Sequence, residues 1–215
     1  MGVIVGESGD DANKRQLYAC CRGYRVSVRG APGAIRVIAG YLRGSRLAVP
    51  DRPGLRPTPN RVRETLFNWL APVIEGARVL DLFAGTGALG IEALSRGAAA
   101  ATLVERDPGL AAALVANLDR LKVAGGTVEP ADAMAWLAGT PRSHDIVFVD
   151  PPFASGLWTP AAQALDRGWL APSAWVYVEA PAAAPLQLPP HWRLQREGHA
   201  GALQFALYRV AAGIR

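Results

Sequence analysis

From residue 77 onward, short apolar runs alternate along the chain with stretches whose apolar residues recur at helical spacing. The runs predict strands at 77–83, 101–105, 127–130, 145–150 and 174–179, with a closing pair near 192–197 and 202–210. The stretches between the first five strands predict helices at about 87–96, 108–122, 132–138 and 159–168. This alternation predicts an α/β, doubly wound, mostly parallel sheet with an antiparallel hairpin at one edge. Such sheets bind ligands beyond the carboxyl ends of their strands.

The first 75 residues follow a different pattern and predict a separate segment. Residues 1–33 are polar and aperiodic, which predicts a disordered tail. Residues 35–49 are β-prone and broken by two glycines, which predicts a short hairpin with arginines on one face. We therefore divide the chain into a tail at 1–33, a basic extension at 34–75 and an α/β domain at 76–215.

A helix is predicted to follow the hairpin, with Thr58 as its N-cap and Pro59 at its first helical position. Apolar residues recur at helical spacing along this helix and form a stripe on one side, which predicts that Arg61 and Arg63 project away from the core. The stripe consists of Val62, Leu66, Trp69, Leu70 and Val73.

The composition is that of a globular protein, with half of its 215 residues hydrophobic and 19% charged. This length suits one catalytic domain with a modest extension. No apolar run is long enough to span a membrane and the first ten residues turn acidic, so we expect a cytoplasmic protein. The two cysteines, Cys20 and Cys21, are adjacent, which predicts free thiols and no zinc site.

Positive charge is concentrated before the α/β domain. The chain carries a formal charge of +5, yet residues 22–63 hold ten arginines against the single acid Asp51. This segment therefore carries +9, and the rest of the chain sums to −4. The asymmetry favours a surface that binds phosphates, although a solvated basic surface would give the same count.

The first motif with chemical content is a glycine-rich loop that follows the first predicted strand of the sheet. Gly85, Gly87 and Gly90 come after Asp81, and the loop leads into a helix. Such a loop lets a ligand approach the backbone and offers free N–H donors to an anionic group. The spacing also satisfies G-x-G-x-x-G, so a nicotinamide dehydrogenase competes with other adenosine-cofactor enzymes.

Two acids follow the next two predicted strands. Glu105 lies eighteen residues beyond Gly87, where an acid can accept both ribose hydroxyls of an adenosine cofactor. Asp132 precedes Ala133 and a predicted helix, so it can accept an adenine amino group, act as the helix N-cap, or do both.

The most specific motif is Asp150-Pro151-Pro152-Phe153, which directly follows an apolar strand. Two prolines fix the turn, so the Asp150 carboxylate and the Pro151 carbonyl form a rigid pair of acceptors. Such a pair can orient an exocyclic amino group of a base toward an electrophilic methyl group. Phe153 offers a ring on which a flipped base can stack. The alternative is a proline turn that only ends a strand.

Together these residues resemble the class I methyltransferases that use S-adenosylmethionine, and within them the bacterial 16S rRNA (guanine(966)-N2)-methyltransferase family. The resemblance spans about 35–210 and is most specific outside the cofactor fold, in RVIAGYLRGSRL at 36–47 and LRPTPNRVRETLFNWL at 55–70. The family's arginine-proline-threonine segment falls on 56–58. The chain has Pro59 and Asn60 where the family commonly has threonine and aspartate, which puts a role for position 60 in doubt.

The resemblance implies a Rossmann-like fold and a set of sites. It implies methyl transfer from S-adenosylmethionine to guanine N2, with Asp150, Pro151 and Phe153 at the reacting base and no metal. The implied cofactor contacts are Asp81, Phe83, Ala84, Gly85, Gly87, Glu105, Asp132 and Ala133. The implied RNA contacts are Arg36, Arg43, Arg46, Arg56, Thr58, Arg61 and Arg63.

The implied partner is 16S ribosomal RNA or the small ribosomal subunit, and we expect a monomer in a bacterial cytoplasm. Three alternatives stay open. DNA adenine-N6 and protein glutamine-N5 methyltransferases share the Asp/Asn-Pro-Pro-aromatic motif. A nicotinamide oxidoreductase shares the glycine loop, but it leaves the proline motif and the arginines unexplained. An RNA-binding assembly factor would need the arginines but not the two acceptors.

Overall fold

The computed structural model describes residues 35–50 and 58–211. Its strands are β1 Ile35–Arg36, β2 Arg46–Leu47, β3 Arg78–Asp81, β4 Ala100–Val104, β5 Gly126–Glu129, β6 His144–Val149, β7 Leu170–Pro181, β8 Trp192–Ala200 and β9 Leu203–Val210. Its α-helices are α1 Asn60–Leu70, α2 Ala88–Ser95, α3 Pro108–Arg120, α4 Ala133–Leu137 and α5 Trp158–Leu165. The predicted tail at 1–33 and the predicted contact at Arg56 lie outside the described residues.

Seven strands form one sheet in the order β5-β4-β3-β6-β7-β9-β8. The first five are parallel, while β9 pairs antiparallel with both β7 and β8. The predicted α/β sheet with an antiparallel hairpin at one edge is confirmed. The strand order reverses at β3, so a cleft opens at the carboxyl ends of β3 and β6.

Both faces of the central strands β3, β6 and β7 are covered, which explains the continuous apolar runs within them. Val79 and Ile146 face a cluster formed with β1, β2, α1, α2 and α3. Their neighbours Leu80 and Val147 face a second cluster formed with α4 and α5. The N-terminal hairpin and α1 thus share a hydrophobic core with the sheet. None of the helices at 35–50 or 58–211 is long and apolar enough to cross a membrane.

Polar side chains of α2 fix the N-terminal hairpin in place. The Glu92 carboxylate is fully buried and accepts hydrogen bonds from the N–H groups of Ile38 (2.7 Å) and Ala39 (3.0 Å). The Ser95 hydroxyl donates to the Ala39 carbonyl (2.6 Å) and accepts from the Leu42 N–H (3.0 Å). Because these groups are buried, each would be costly to leave without a partner. The hairpin is therefore held by specific contacts as well as by apolar packing.

A second set of contacts joins the hairpin to α3. The Asn117 side chain accepts from the Ala48 N–H (3.0 Å) and donates to the Ala48 carbonyl (2.9 Å). The Arg120 guanidinium donates to the Arg46 carbonyl. The side chains of Arg36 and Arg46 are exposed, so the hairpin presents its cations outward while its backbone is anchored inward.

The start of α1 corrects one prediction. Pro59 is the N-cap, no side chain caps the helix, and the first helical residue is Asn60. Thr58 is buried instead, and its hydroxyl lies 3.4 Å from Oδ2 of Asp150. The prediction of Thr58 as N-cap is therefore wrong, because its hydroxyl is directed to the carboxyl end of β6.

Arg63 corrects a second prediction. Its side chain is only 1% exposed, so it lies in the buried face of α1 and cannot belong to the outward arginine surface. Its Nη2 donates to the Arg36 carbonyl (2.9 Å) and to Oδ1 of Asn60 (2.7 Å). Burial lowers the pKa of the Arg63 guanidinium, and the charge of Glu92 opposes that shift. Glu92, which forms an ion pair with Arg96 (2.7 Å), thus also acts electrostatically on Arg63, an influence that a helical pattern alone does not reveal.

The tight approach of Gly40 to α2 generates a stability prediction. Gly40 has φ +80°, and a Cβ there would lie 1.7 Å from the Ser95 carbonyl oxygen. We expect Gly40→Ala to lower the free energy of unfolding by about 2–5 kcal/mol, from the left-handed conformation plus the overlap. Gly44 has φ +84° with nothing within 4 Å, so Gly44→Ala should cost only about 1–2 kcal/mol.

Urea unfolding of the two variants and the wild type measures both effects. Equal losses in the two variants would contradict the close contact between the hairpin and α2.

Candidate functional site

A cavity of about 410 Å³ opens at the carboxyl ends of β3, β4, β5 and β6. Eight of the eleven residues expected to bind cofactor or catalyse line it, together with Thr58 from the basic extension. The eight are Asp81, Phe83, Ala84, Gly85, Glu105, Asp132, Ala133 and Asp150. Gly87, Pro151 and Phe153 do not line the cavity.

The glycine loop turns at Gly87, the N-cap residue of α2. Gly87 has φ +75°, its N–H donates to the Ala84 carbonyl (2.7 Å), and a Cβ would lie 2.4 Å from the Leu114 side chain. Glycine is therefore required at 87 for the turn and for packing against α3. Its effect on the cavity is indirect, through the course of the loop.

Asp81 holds the glycine loop through a hydrogen bond to the start of α2. It is almost fully buried, and its Oδ2 accepts a hydrogen bond from the Gly90 N–H (2.9 Å). Burial raises the pKa of Asp81 to about 7, the Gly90 N–H partly offsets this rise, and the charge of Glu105 adds to it. The carboxyl thus fixes the start of α2 while lining the cavity.

Glu105 joins two loops that line the cavity. Its Oε2 accepts from the Gly85 N–H (2.8 Å) and its Oε1 accepts from the Asp107 N–H (2.7 Å). Each carboxylate oxygen has a further lone pair, so these bonds leave Glu105 able to accept from a ligand. The same two bonds fix where its oxygens lie.

Asp132 caps α4 through Oδ1, which accepts from the N–H groups of Met134 (2.9 Å) and Ala135 (3.1 Å). The predicted capping role is confirmed. Its Oδ2 makes no protein hydrogen bond within 35–50 and 58–211, and the residue is exposed at the cavity wall. The role in binding an adenine amino group stays a prediction.

Asp150 lies among other acids at the end of β6. The β6–β7 register pairs Val149 with Val178, so Asp150, just after β6, lies beside Glu179 of β7. Burial raises the pKa of Asp150 well above its usual value, and the charges of Glu179 and Asp81 raise it further. The interior of the site therefore holds several carboxyl groups that do not readily ionise together.

The sequence analysis did not identify Glu179 or its partner Tyr177. The Tyr177 hydroxyl donates to Oε2 of Glu179 (2.8 Å), and both residues are buried. Burial raises the pKa of Glu179, while the hydroxyls of Tyr177 and Thr58 lower it. One signal was available, because Glu179 ends a predicted apolar strand just as Asp150 does. Within 35–50 and 58–211, no cluster of three or more His, Cys, Asp or Glu side chains could hold a metal ion.

The aromatic residue of the proline motif lies outside the cavity. Phe153 begins a 3₁₀ turn at Phe153–Ser155 and is 50% exposed. Pro151 is buried, whereas Pro152 and Leu157 line the cavity. An exposed ring beside the opening is accessible to a base, but the cavity wall itself is completed by Pro152 and Leu157.

The basic extension supplies an exposed surface of four arginines, which we call the arginine surface. It consists of Arg36, Arg43, Arg46 and Arg61. Thr58, expected among the RNA contacts, lies instead in the cavity wall. Arg63 is buried beneath α1, as described above.

Comparison with known proteins gave matches over most of the chain. The family model described as conserved hypothetical protein 95 matches residues 35–209. The ribosomal RNA small subunit methyltransferase D of Escherichia coli (strain K12) is 52% identical over 182 residues, covering 84% of this chain and 92% of that protein. The protein of the same name from Haemophilus influenzae is 40% identical over 190 residues, covering 86% and 98%.

Solved structures match the fold. The Escherichia coli protein yhhF is 48% identical with a TM-score of 0.79, covering 84% of this chain and 100% of that one. An RNA methyltransferase from Salinibacter ruber, solved in complex with S-adenosyl-L-homocysteine, has a TM-score of 0.58 at 20% identity, covering 74% and 97%. At that identity the second match bears on the fold alone, and it agrees with the Rossmann-like architecture.

The raised pKa of Asp81 generates a pH prediction. Between its usual pKa of 3.8 and the folded value of about 7, an unfolded Asp81 ionises while the folded one does not. Stability is therefore lost as pH rises through this window, at about 1.4 kcal/mol per unit of pKa difference. Asp81→Asn keeps an acceptor for Gly90 and should gain a few kcal/mol relative to the wild type between pH 4 and 7.

Urea unfolding at several pH values measures this difference, with the exposed Glu64→Gln as control. A constant difference between Asp81→Asn and the wild type across the window would contradict the raised pKa.

Proposed function

Because the chain belongs to the conserved hypothetical protein 95 family, we propose that it transfers a methyl group from S-adenosylmethionine to the exocyclic N2 of a guanine in 16S ribosomal RNA. The observation that carries this proposal is the Asp150 carboxyl, held on a two-proline turn in the same cavity wall as the glycine loop. The names of the curated relatives, ribosomal RNA small subunit methyltransferase D, support the substrate class.

The residues of the cavity fit S-adenosylmethionine. A volume of about 410 Å³ is typical of a small-molecule site. Glu105 would accept from the ribose hydroxyls and Asp132 from the adenine amino group, each through lone pairs that the protein leaves free. When bound, this cofactor supplies a methyl group on a positively charged sulfur.

Asp150 would act on the amino group of the base. The nitrogen lone pair of an exocyclic amine is delocalised into the ring, so the free amine is a poor nucleophile. The Asp150 carboxylate would accept one N–H, and the carbonyl of Pro151, which is buried beside the cavity and does not line it, is the expected second acceptor. Two such acceptors would turn the lone pair out of that plane and orient it. The carboxylate would also stabilise the positive charge that develops on nitrogen, and then take one of its protons.

The outer surface suits a polyanion. The arginine surface would contact phosphates on either side of a guanine that enters the cavity, and Phe153 would stack on a base at the opening. Phosphate contacts position an RNA without reading its sequence, so the choice of guanine would rest on the fold of the RNA.

The substrate class separates this proposal from the other amino-group methyltransferases. Methyl-labelled S-adenosylmethionine is incubated with the protein and four acceptors: unmodified small ribosomal subunits, naked 16S ribosomal RNA, duplex DNA and bulk protein. We expect label in the RNA of one or both ribosomal acceptors. Label in DNA or protein alone would contradict the proposal.

Substitutions at Asp150 test its role apart from cofactor binding. Asp150→Ala should leave S-adenosylmethionine affinity nearly intact and lower single-turnover methyl transfer by about 10²–10⁴-fold, the scale for one positioned polar group. Asp150→Asn keeps one acceptor oxygen and should retain more activity if orientation dominates.

Single-turnover rates at saturating cofactor and RNA, with calorimetry of cofactor binding, keep the two effects separate. Rates near wild type in Asp150→Ala would remove Asp150 from the mechanism.

Substitutions in the arginine surface test RNA binding. The double change Arg43→Ala and Arg46→Ala should flatten the log–log dependence of RNA affinity on salt by roughly 1.4–1.8 units, from two lost phosphate contacts. Cofactor affinity should not change, because neither residue lines the cavity.

Arg193→Ala with Arg196→Ala is the matched control, since both are exposed arginines on β8 and outside the arginine surface. Equal changes of slope in the two double variants would assign the effect to net charge alone.

A further inference from the structure

Next to Asp150 lie three buried residues that the proposed reaction does not yet use, namely Thr58, Tyr177 and Glu179. Glu179 is 4% exposed and does not line the cavity, whereas Asp150 does. Asp150 follows β6, and Glu179 lies on the neighbouring parallel strand β7, one position beyond the Val149–Val178 pair, so a buried acid lies behind the reacting position. Two close carboxylates in a low-dielectric site cannot both ionise easily, and such pairs commonly share a proton.

Thr58 contacts Asp150 and is near enough to Glu179 to affect the pKa of that carboxyl. Its hydroxyl is 3.4 Å from Oδ2 of Asp150, and hydrogen bonding from Thr58 lowers the pKa of both Asp150 and Glu179. A hydroxyl has one hydrogen to donate and two lone pairs to accept with. It can therefore donate to one carboxylate while accepting from the other carboxyl only if that second group is protonated.

We propose that Asp150 and Glu179 form a pair that shares one proton across the Thr58 hydroxyl, with Glu179 holding it when Asp150 acts as a carboxylate. The inference rests on the proposed methyl transfer for its purpose. In the exchange, the Asp150 carboxyl gives its proton to the Thr58 oxygen, and the Thr58 hydroxyl gives its own to a Glu179 oxygen. The hydroxyl is regenerated, and the charge of the pair does not change.

The surroundings favour this direction during the reaction. Of the two acids, only Asp150 lines the cavity. Positive charge at the reacting nitrogen therefore attracts the negative charge of the pair to Asp150 and leaves the proton on Glu179. Tyr177 donates to Oε2 of Glu179, which leaves Oε1 as the oxygen that can carry the proton toward Thr58. The charge of Asp81, on β3, also raises the pKa of Asp150, and the charge of Glu105 raises the pKa of Asp81. The amino proton that Asp150 accepts afterwards can leave to water through the cavity.

Infrared difference spectroscopy of the free protein at pH 7 tests the pair without cofactor or RNA, and an Asp81→Asn background removes the band of the third acid, whose pKa is raised to about 7. We expect a protonated-carboxyl band that Glu179→Gln removes and that Asp150→Asn also removes, because either change lets the remaining acid ionise. The double variant with both Asp150→Asn and Glu179→Gln should lose no more intensity from this band than either single variant loses. Loss in only one of the two variants, or no such band in the wild type, would overturn the inference.

The pH dependence of single-turnover methyl transfer provides the second test. The Thr58 hydroxyl lowers the pKa of Asp150, so Thr58→Val should move the acidic limb to higher pH by about one pH unit, the scale of one hydrogen-bonding neighbour. Because Glu179 is proposed to hold the shared proton and to carry no charge while Asp150 is ionised, Glu179→Gln should not move the limb to lower pH. Thr58→Ser should restore the wild-type limb.

Glu129→Gln, the same change at the end of β5 and outside the cavity, is the matched control. An unmoved limb in Thr58→Val, or a limb that moves to lower pH in Glu179→Gln, would overturn the inference, and Thr58→Val carries the test if Glu179→Gln does not fold. A wild type that transfers no methyl group would instead refute the proposed function, while the infrared result would still decide the pair.

Discussion

The buried carboxylate of Glu92 is the contact on which the rest of the arrangement depends. Glu92 lies on α2, the helix that begins at the glycine loop, and it binds the backbone of the N-terminal hairpin. Its charge also acts electrostatically on Arg63, which in turn holds the Arg36 carbonyl and the start of α1. Helix α2 therefore positions the glycine loop at its first residue. One turn further along, through Glu92, it positions the arginine surface. Cofactor and RNA are proposed to meet across that helix.

Acidic side chains lie in the interior of the site, and basic side chains lie on its outer surface. The parallel strands of the sheet bring Asp81, Glu105, Asp150 and Glu179 to a single edge, where burial makes a second or third negative charge costly. The hairpin that carries Arg36, Arg43 and Arg46 is anchored to α2 and α3 through backbone groups, and these arginine side chains are exposed. An acidic interior suits a cationic methyl donor, and a basic exterior suits an RNA. The hydroxyl of Thr58, carried by the basic extension, reaches the acidic interior and links the two.

Much of this could be predicted from the sequence where the signal is local. Strands buried on both faces are continuous apolar runs, and the glycine loop and the proline turn are short motifs, so Asp81, Glu105 and Asp150 were expected at one edge. Arg63, Thr58 and Glu179 have partners between 27 and 121 positions away in the chain, and no helical or strand period encodes those contacts. Asn60, a departure from the family pattern, accepts a hydrogen bond from Arg63 three positions along the same helix.

The central claim is that two proposed acceptors, the Asp150 carboxylate and the Pro151 carbonyl, act on an exocyclic guanine amine in ribosomal RNA. Its most direct test is the identity of the methylated nucleoside, obtained by digesting RNA from small ribosomal subunits treated with the protein and labelled S-adenosylmethionine. The account predicts that the label appears in N2-methylguanosine, as one group per subunit, and that Asp150→Ala abolishes it. Label on a ring nitrogen, on a ribose oxygen or on another base would contradict it.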